Sequence, residues 1–367
     1  MKRIFLSLIL LDLFFLVGAS AQTRSSDLEA LADPRGAPEL IVCSQNLENY
    51  GKFSDFRVRM PEKSQTDFEY KQRALIQRFI STGCDVIAVQ EILAKGDLNA
   101  DEVLKGLALL LRKSSGRFFE SKIGTSDDPM LRVGFLVAKD RAEIMNSTSY
   151  NNVELPKISE KEKPRGFARG PLEIQLSVKG MGDATSKPVT LVNFHFKSKR
   201  GGVEQDPAQL EWETYRMEMA EALRRVLVSR HARSFQKADS ILITLGDRNS
   251  NFDVASAKIL DGTLTLKMFQ EQGACRLSKR GVPLCAAEMA KPPKLFSVLT
   301  GDAETKGAHG TFVYEKVYSW LDEILMPAES LRYAWAKYDT AGNYDSGVVS
   351  EPKDASDHSL VWVKLNW

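Results

Sequence analysis

Histidine and cysteine are scarce in this 367-residue chain, with four of each. There is no C-x-x-C pair and no H-E-x-x-H, so the common zinc-binding spacings are excluded. A G-x-S-x-G elbow is also missing, which removes the usual signature of a serine hydrolase. No low-complexity tract or internal period divides the chain, which argues against a solenoid or a disordered scaffold. Charge of one sign is lacking as well. The net charge is only +2, so the chain is no histone-like polycation, and any polyanion must be held by charge gathered locally.

Long apolar runs are rare, and the conspicuous one is at the start. Lys2 and Arg3 precede Ile4 to Val17, and Gly18-Ala19-Ser20-Ala21-Gln22 follows. A basic start, a short apolar stretch and an A-x-A ending predict a secretory signal peptide, residues 1–21. The run is too short for a hydrocarbon core of roughly 30 Å, which takes about 20 residues. The expectation is a secreted or periplasmic monomer with no stable membrane anchor. Without Lys2, Arg3 and Asp12, 48 basic residues face 47 acidic ones. Residues 22–36 read as a polar lead and 37–367 as one large domain, since 43% hydrophobic composition can build a sizeable core.

In an oxidising compartment Cys275 and Cys285, which bracket a Gly/Arg/Pro loop, are expected to pair. Cys43 and Cys84 precede two strand ends by three and seven residues. On adjacent parallel strands that offset is about 13 Å, beyond the about 7 Å between Cα atoms that a disulfide tolerates. They are expected to be buried thiols.

The secondary-structure signal is a series of apolar runs that end abruptly in polar residues. Strands are expected at 39–46, 84–91, 132–140, 171–178, 189–196, 240–247 and 359–366. Helical spacing of Phe68, Leu75, Ile76 and Phe79 predicts a helix over 67–81. A second helix is expected from Asp206-Pro207 to about Arg230, with Trp212, Tyr215, Met219, Leu223 and Val226 as its apolar stripe. Regions 140–170 and 267–310 read as loop-rich. The expected class is α/β (α+β), two packed mixed sheets flanked by helices.

The polar ends carry the chemistry. In "LVNFHFKSKRGG" alternation puts Asn193, His195 and Lys197 on one face and Phe194 and Phe196 on the other. Asp247 and Asn249 are likewise two apart, directly after a buried run. Gln45-Asn46, Gln90-Glu91 and Ser356-Asp357-His358 complete the set. Glu91, Asp357 and Asn46 supply hard oxygen ligands, suited to Mg²⁺, Mn²⁺ or Ca²⁺. His195 and His358, with Asn249 and Lys197, offer donors to an anion's oxygens. A hard cation beside phosphate-sized donors is equipment for phosphodiester hydrolysis.

In order along the chain, Asn46, Gln90-Glu91, Asn193-x-His195, Gly246-Asp247-x-Asn249, Leu321-Asp322 and Ser356-Asp357-His358 resemble the endonuclease/exonuclease/phosphatase superfamily. The likeness runs from about residue 39 to the C-terminus and implies a four-layer sandwich. By that resemblance Asn46, Glu91 and Asp357 surround the metal, and Asp247 orients or deprotonates the water. Asn249 and His195 hold the phosphate, and His358 acts on the phosphate or nucleophile, aimed by Asp322. "FARGPLEI" resembles the strand start of deoxyribonucleases, so Arg169, with Asn193 and Lys197, is expected to contact substrate. Lys199, Arg200 and Arg165 extend a local basic track. Two positions depart from the pattern. Leu131 stands where deoxyribonucleases carry a Glu that orients the histidine matching His195, and Arg248 replaces the usual Phe, where it is expected to add a phosphate contact or to lie on the surface. The expected substrate is DNA, with RNA second. A sphingomyelinase or inositol-phosphate phosphatase is the alternative, favoured by an exposed aromatic hairpin that the sequence does not clearly offer. A catalytically inactive binding module is a further one.

Overall fold

The computed structural model describes residues 39–159, 163–179, 188–199, 210–271, 293–300, 308–335 and 343–367. All belong to one compact unit, Ala37–Trp367. Cys275, Cys285, Arg200 and the expected helix start at Asp206-Pro207 lie outside the described residues.

The chain begins with β1 (Glu39–Gly51), α1 (Phe53–Arg59), α2 (Gln65–Thr82), β2 (Val86–Leu93) and α3 (Asp97–Ser115). Next come β3 (Phe119–Ile123), β4 (Leu131–Ala138), β5 (Ala142–Ser149), β6 (Leu172–Val178) and β7 (Val189–His195). α4 (Leu210–Arg230), β8 (Ile241–Asp247), α5 (Ala255–Leu260), α6 (Lys267–Glu271) and β9 (Leu295–Ser297) follow. A hairpin, β10 (Phe312–Tyr314) and β11 (Val317–Ser319), precedes β12 (Asp322–Pro327), α7 (Ala328–Leu331), β13 (Ser346–Val349) and β14 (Leu360–Asn366).

Two six-stranded mixed sheets result, ordered β13-β14-β1-β2-β4-β3 and β5-β6-β7-β8-β12-β9. Among the described residues, β1/β2 and β7/β8 are parallel and the other ladders are antiparallel. Alternation within the strands explains the layering. Leu40, Val42, Val86, Ala88, Val133 and Phe135 meet Leu172, Ile174, Leu191, Ile243 and Leu245 in a core between the sheets. The intervening residues Cys43, Ile87, Val89 and Leu136 face outward onto α2 and α3. Val192, Phe194 and Leu242 do the same beneath α4. Each such aliphatic side chain, once fully buried, contributes about 1.5–3 kcal/mol. Strands buried on both faces must read as continuous apolar runs, which is why they were visible in the sequence.

α2 starts two residues earlier than expected. Ser64 caps it, its Oγ accepting from Asp67 N while Asp67 Oδ2 accepts from Ser64 N, a reciprocal capping box. The helix ends at left-handed Gly83 (φ 72°), and there the chain turns before β2 begins. That turn overrides the strand arithmetic for the cysteines. Cys43 is in register with Ile87, but Cys84 precedes the strand and its N–H still bonds back to Phe79 O. The two Cα atoms are 5.9 Å apart, and Cys43–Cys84 is a disulfide rather than two buried thiols. The region expected to be loop over 140–170 contains β5, whose polar "AEIMNSTS" lies at a sheet edge and carries little apolar signal.

Candidate active site

The parallel pairs bring the polar strand ends together. In β7/β8 His195 is in register with Asp247, and in β8/β12 Asp247 is in register with Asp322. Three chemically active residues therefore form a row across one sheet. In the other sheet Asn46 is in register with Gln90. The two ladders that flank Glu91 shift register, one between Asn46 and Tyr50, the other between Val89 and Ile92. Such bulges re-aim side chains beside active sites. Glu48, Asn49, Glu91 and Asn249 all hold left-handed φ angles of 51–59°, conformations that cost energy in non-glycine residues and gather at functional sites. β8 also approaches β7 closely, since a Cβ on Gly246 would sit 2.0 Å from Phe194 O. That contact explains the glycine before Asp247.

A cleft of about 470 Å³ opens over this convergence, lined among others by Glu48, Glu91, Lys199, Asn249, Asp357 and His358. At its base His358 Nδ1 is 2.8 Å from Asp322 Oδ2, and His358 Nε2 is 4.0 Å from Asp247 Oδ2. Burial favours neutral imidazole at His358, but Asp322 and Asp247 outweigh it and hold the pKa well above the ordinary value. Asp247 is pushed up to about 7 by burial and by the Asp322 charge, against the pull of His358. A carboxylate poised near neutrality suits a general base. His195 is the opposite case. Burial, then Arg169, His358 and Lys197, drive its pKa well down, so the ring is neutral. Its Nε2 lies 3.5 Å from Asp247 Oδ2 and 3.8 Å from Glu91 Oε1. Neither ring nitrogen has a hydrogen-bond partner among the described residues. A buried imidazole without such a partner is left to meet a ligand.

Glu48, Glu91 and Asp357 form the acidic side of the cleft. Burial, then repulsion from Glu48 and Glu91, raises Asp357 to about 6. Carboxylates that repel one another along one wall suit a divalent cation of the Mg²⁺, Mn²⁺ or Ca²⁺ type, with Glu48 paired to Lys71 and both Glu91 oxygens accepting hydrogen bonds, from Asn46 and Asn49. Asn46 is fully buried and turns N–H groups toward the carboxylates, bonding Glu91 Oε1 (3.3 Å) and Asp247 Oδ2 (3.0 Å). Its Oδ1 accepts from Glu48 N. Asn46 thus bridges the acidic group and the base. Among the described residues, the acidic and histidine groups whose ligand atoms all lie within 4.8 Å of one another are Asp247, Asp322 and His358, a grouping that could hold a metal; Glu48, Glu91 and Asp357 are not drawn together so closely.

The remaining expected residues separate. Asn249 lines the cleft, its Nδ2 on Phe196 O and Asp247 Oδ2. Arg169 is nearly buried, tied to Asp128 and to Phe196 O, close enough to depress His195. Lys197 lies over the Trp212 ring at 4.4 Å. Asn193 does not reach substrate. Its Nδ2 donates to Val89 O and Gly134 O and its Oδ1 accepts from Gln90, so its hydrogen-bonding capacity is committed to joining the two sheets. Arg248 is neither a phosphate contact nor on the surface; it is buried and paired with Glu323 at 3.2 Å.

Sequence reasoning missed the supports behind the site. Arg78, fully buried on α2, donates to Gln45 Oε1, to His358 O and to the carbonyls of Ser350, Glu351 and Pro352. Lys71, two turns earlier, bonds Glu48 Oε2 at 2.7 Å and Ala355 O. Both cations fall among the helix's buried apolar positions, a signal the sequence did carry. The hairpin was missed too. Thr311 Oγ1 at its foot accepts from Leu321 N and Asp322 N, and the Phe312 ring lies 4.8 Å from that of His358.

No family model matches the chain and no curated protein matches it in sequence. Solved structures do match in fold. ANGEL2, a 2′,3′-cyclic phosphatase, is 14% identical with a TM-score of 0.51, covering 89% of this chain and 95% of that one. An endonuclease/exonuclease/phosphatase family protein from Leptotrichia buccalis is 13% identical at TM-score 0.50, covering 89% and 100%. One from Bacteroides thetaiotaomicron is 12% identical at TM-score 0.50, covering 89% and 94%. Two six-stranded mixed sheets between helical layers, matched by such structures over nine-tenths of the chain, give this protein the fold of the endonuclease/exonuclease/phosphatase superfamily.

Proposed function

We propose that the protein is an exported, divalent-metal-dependent phosphodiesterase that cleaves nucleic acid, DNA foremost, through an activated water. One observation carries the reading. A raised-pKa carboxylate, Asp247, sits between a neutral imidazole, His195, and a carboxylate-backed imidazolium, His358, beside a cluster of hard oxygen ligands. A bound cation would supply Lewis-acid stabilisation of phosphoryl charge at Glu91, Asp357 and Glu48. Asp247 takes the proton of the attacking water. His195 Nε2 donates to a phosphate oxygen, Asn249 Nδ2 does so by exchanging its bond to Phe196 O or Asp247 Oδ2, and His358, its tautomer fixed by Asp322, donates to developing negative charge. The phosphatase description of ANGEL2 supports phosphoester chemistry on this fold, and the Cys43–Cys84 disulfide supports an oxidising compartment.

The test is a substrate panel with the purified chain in Mg²⁺ or Mn²⁺: plasmid DNA, RNA, sphingomyelin vesicles and inositol phosphates, each with and without chelator. Chelator-sensitive cleavage of DNA or RNA supports the proposal. Turnover of sphingomyelin or inositol phosphate alone replaces it with the alternative, and turnover of nothing leaves a binding module.

A further inference from the structure

Resting on the phosphodiesterase reading, we propose that the β10/β11 hairpin is a base-recognition wall on which Tyr314 stacks a nucleobase next to the scissile phosphate. The hairpin has two faces. Register pairs Phe312 with Ser319 and Tyr314 with Val317, and these four line the catalytic cleft. Val313 pairs with Tyr318 on the reverse face, where Tyr318 meets the His309 ring edge-on at 5.5 Å.

The foot is fixed to the catalytic machinery. Ser359 N bonds Thr311 O at 2.6 Å, Phe312 forms a β-bridge with His358, and their rings are 4.8 Å apart. Tyr314 stands two residues beyond Phe312, about 7 Å further along the strand, within the span of one nucleotide. It is 57% exposed and Val317 is 65% exposed. An aromatic ring open to the cleft, on a strand bridged at its foot to His358, is a stacking platform for a flat ring. Lys199 lines the same cleft, a charge for the phosphate backbone.

The same hairpin is what a lipid reading would use, and two features favour the base. The turn carries Glu315 and Lys316, both at left-handed φ; charges at the tip oppose insertion into a bilayer. Tyr314 and Val317, the pair that flanks the turn, line the cleft.

The experiment compares cleavage of a single-stranded oligonucleotide with one whose bases beside the scissile phosphate are replaced by tetrahydrofuran spacers. It uses wild type, Tyr314→Ala and Tyr314→Phe. Tyr314→Ala is expected to raise KM about tenfold for the base-bearing strand, the scale of one stacked base, and to leave the spacer strand unchanged. Tyr314→Phe should behave as wild type. Equal KM values, or equal losses on both strands, overturn the proposal. A loss confined to binding and hydrolysis of sphingomyelin vesicles also overturns it, in favour of a lipid surface. Failure of the parent reading shows separately, as wild type that cleaves neither strand. Even then, quenching of a 2-aminopurine strand by Asp247→Asn protein, lost in Asp247→Asn/Tyr314→Ala, supports the platform, and unchanged quenching refutes it.

Discussion

Asp247 touches every part of the site: Asn46 and Asn249 donate to it, and His195 and His358 flank it. Replacing it with Asn keeps the shape and removes the base. Turnover should fall about 10²–10⁴-fold, the range of a general base, with the melting curve preserved. His195→Ala should lose activity comparably, because the ring is buried, neutral and without another partner among the described residues. Wild-type rates in either folded variant would remove that residue from the chemistry. A second buried carboxylate makes a contrasting case. Glu173 bonds Tyr150 Oη and His231 and pairs with Arg230, remote in sequence from the metal ligands. Burial pushes its pKa up, but His231, Tyr150 and Arg230 outweigh that and hold it below the ordinary value. Its folded pKa is depressed, so its stabilisation is present above the unfolded value of about 4.3 and lost as pH falls through the folded one. Glu173→Gln should destabilise by about 3 kcal/mol at pH 7, and the gap to wild type should shrink as denaturation is followed below pH 4. A gap independent of pH would contradict this. His195, Asp247, Asn249 and His358 were legible in the sequence because strand period and abrupt polar endings are local signals. The roles of Asn193 and Arg248 were not, since both depend on what faces them from the opposite strand or sheet.

Among the elements, α2 and the hairpin do the positioning. Through Arg78, α2 grips the carbonyls of 350–352 and 358 and so fixes the segment that carries Asp357 and His358. Arg78→Met should lower kcat about a hundredfold, the scale of a small misplacement of reacting groups. KM should change little, and added guanidinium should restore part of the rate. Loss of activity only in step with unfolding, without rescue, would reduce Arg78 to a stability role. Seven strands were readable as apolar runs, but β12, buried inside the second sheet, was not, because its short Asp322–Pro327 run opens on two acidic residues. β5, the hairpin strands and α3 escaped notice because edge strands and amphipathic helices carry weaker patterns. The hairpin's turn of Glu315-Lys316 also lacks the Asn-Gly signature that normally announces one.

Across the whole molecule, two sheets meet so that distant stretches share one cleft, and a disulfide closes 41 residues of chain around the first βαβ unit. By loop-closure entropy Cys43–Cys84 contributes about 4 kcal/mol; Cys43→Ala/Cys84→Ala protein should melt lower by that measure, and an unchanged melting point would show the bridge is not formed. The sheet architecture followed from composition and pattern, whereas the bridge required knowing that the chain turns at Gly83. The most direct measurement is the rate of single-stranded DNA cleavage against Mg²⁺ concentration for wild type, Glu91→Gln and Asp247→Asn. Chelator should abolish wild-type cleavage, Glu91→Gln should need at least about tenfold more Mg²⁺, and Asp247→Asn should turn over almost nothing at any Mg²⁺ concentration. Cleavage that survives chelation, or wild-type curves from both variants, would contradict a metal-assisted phosphodiesterase centred on these residues.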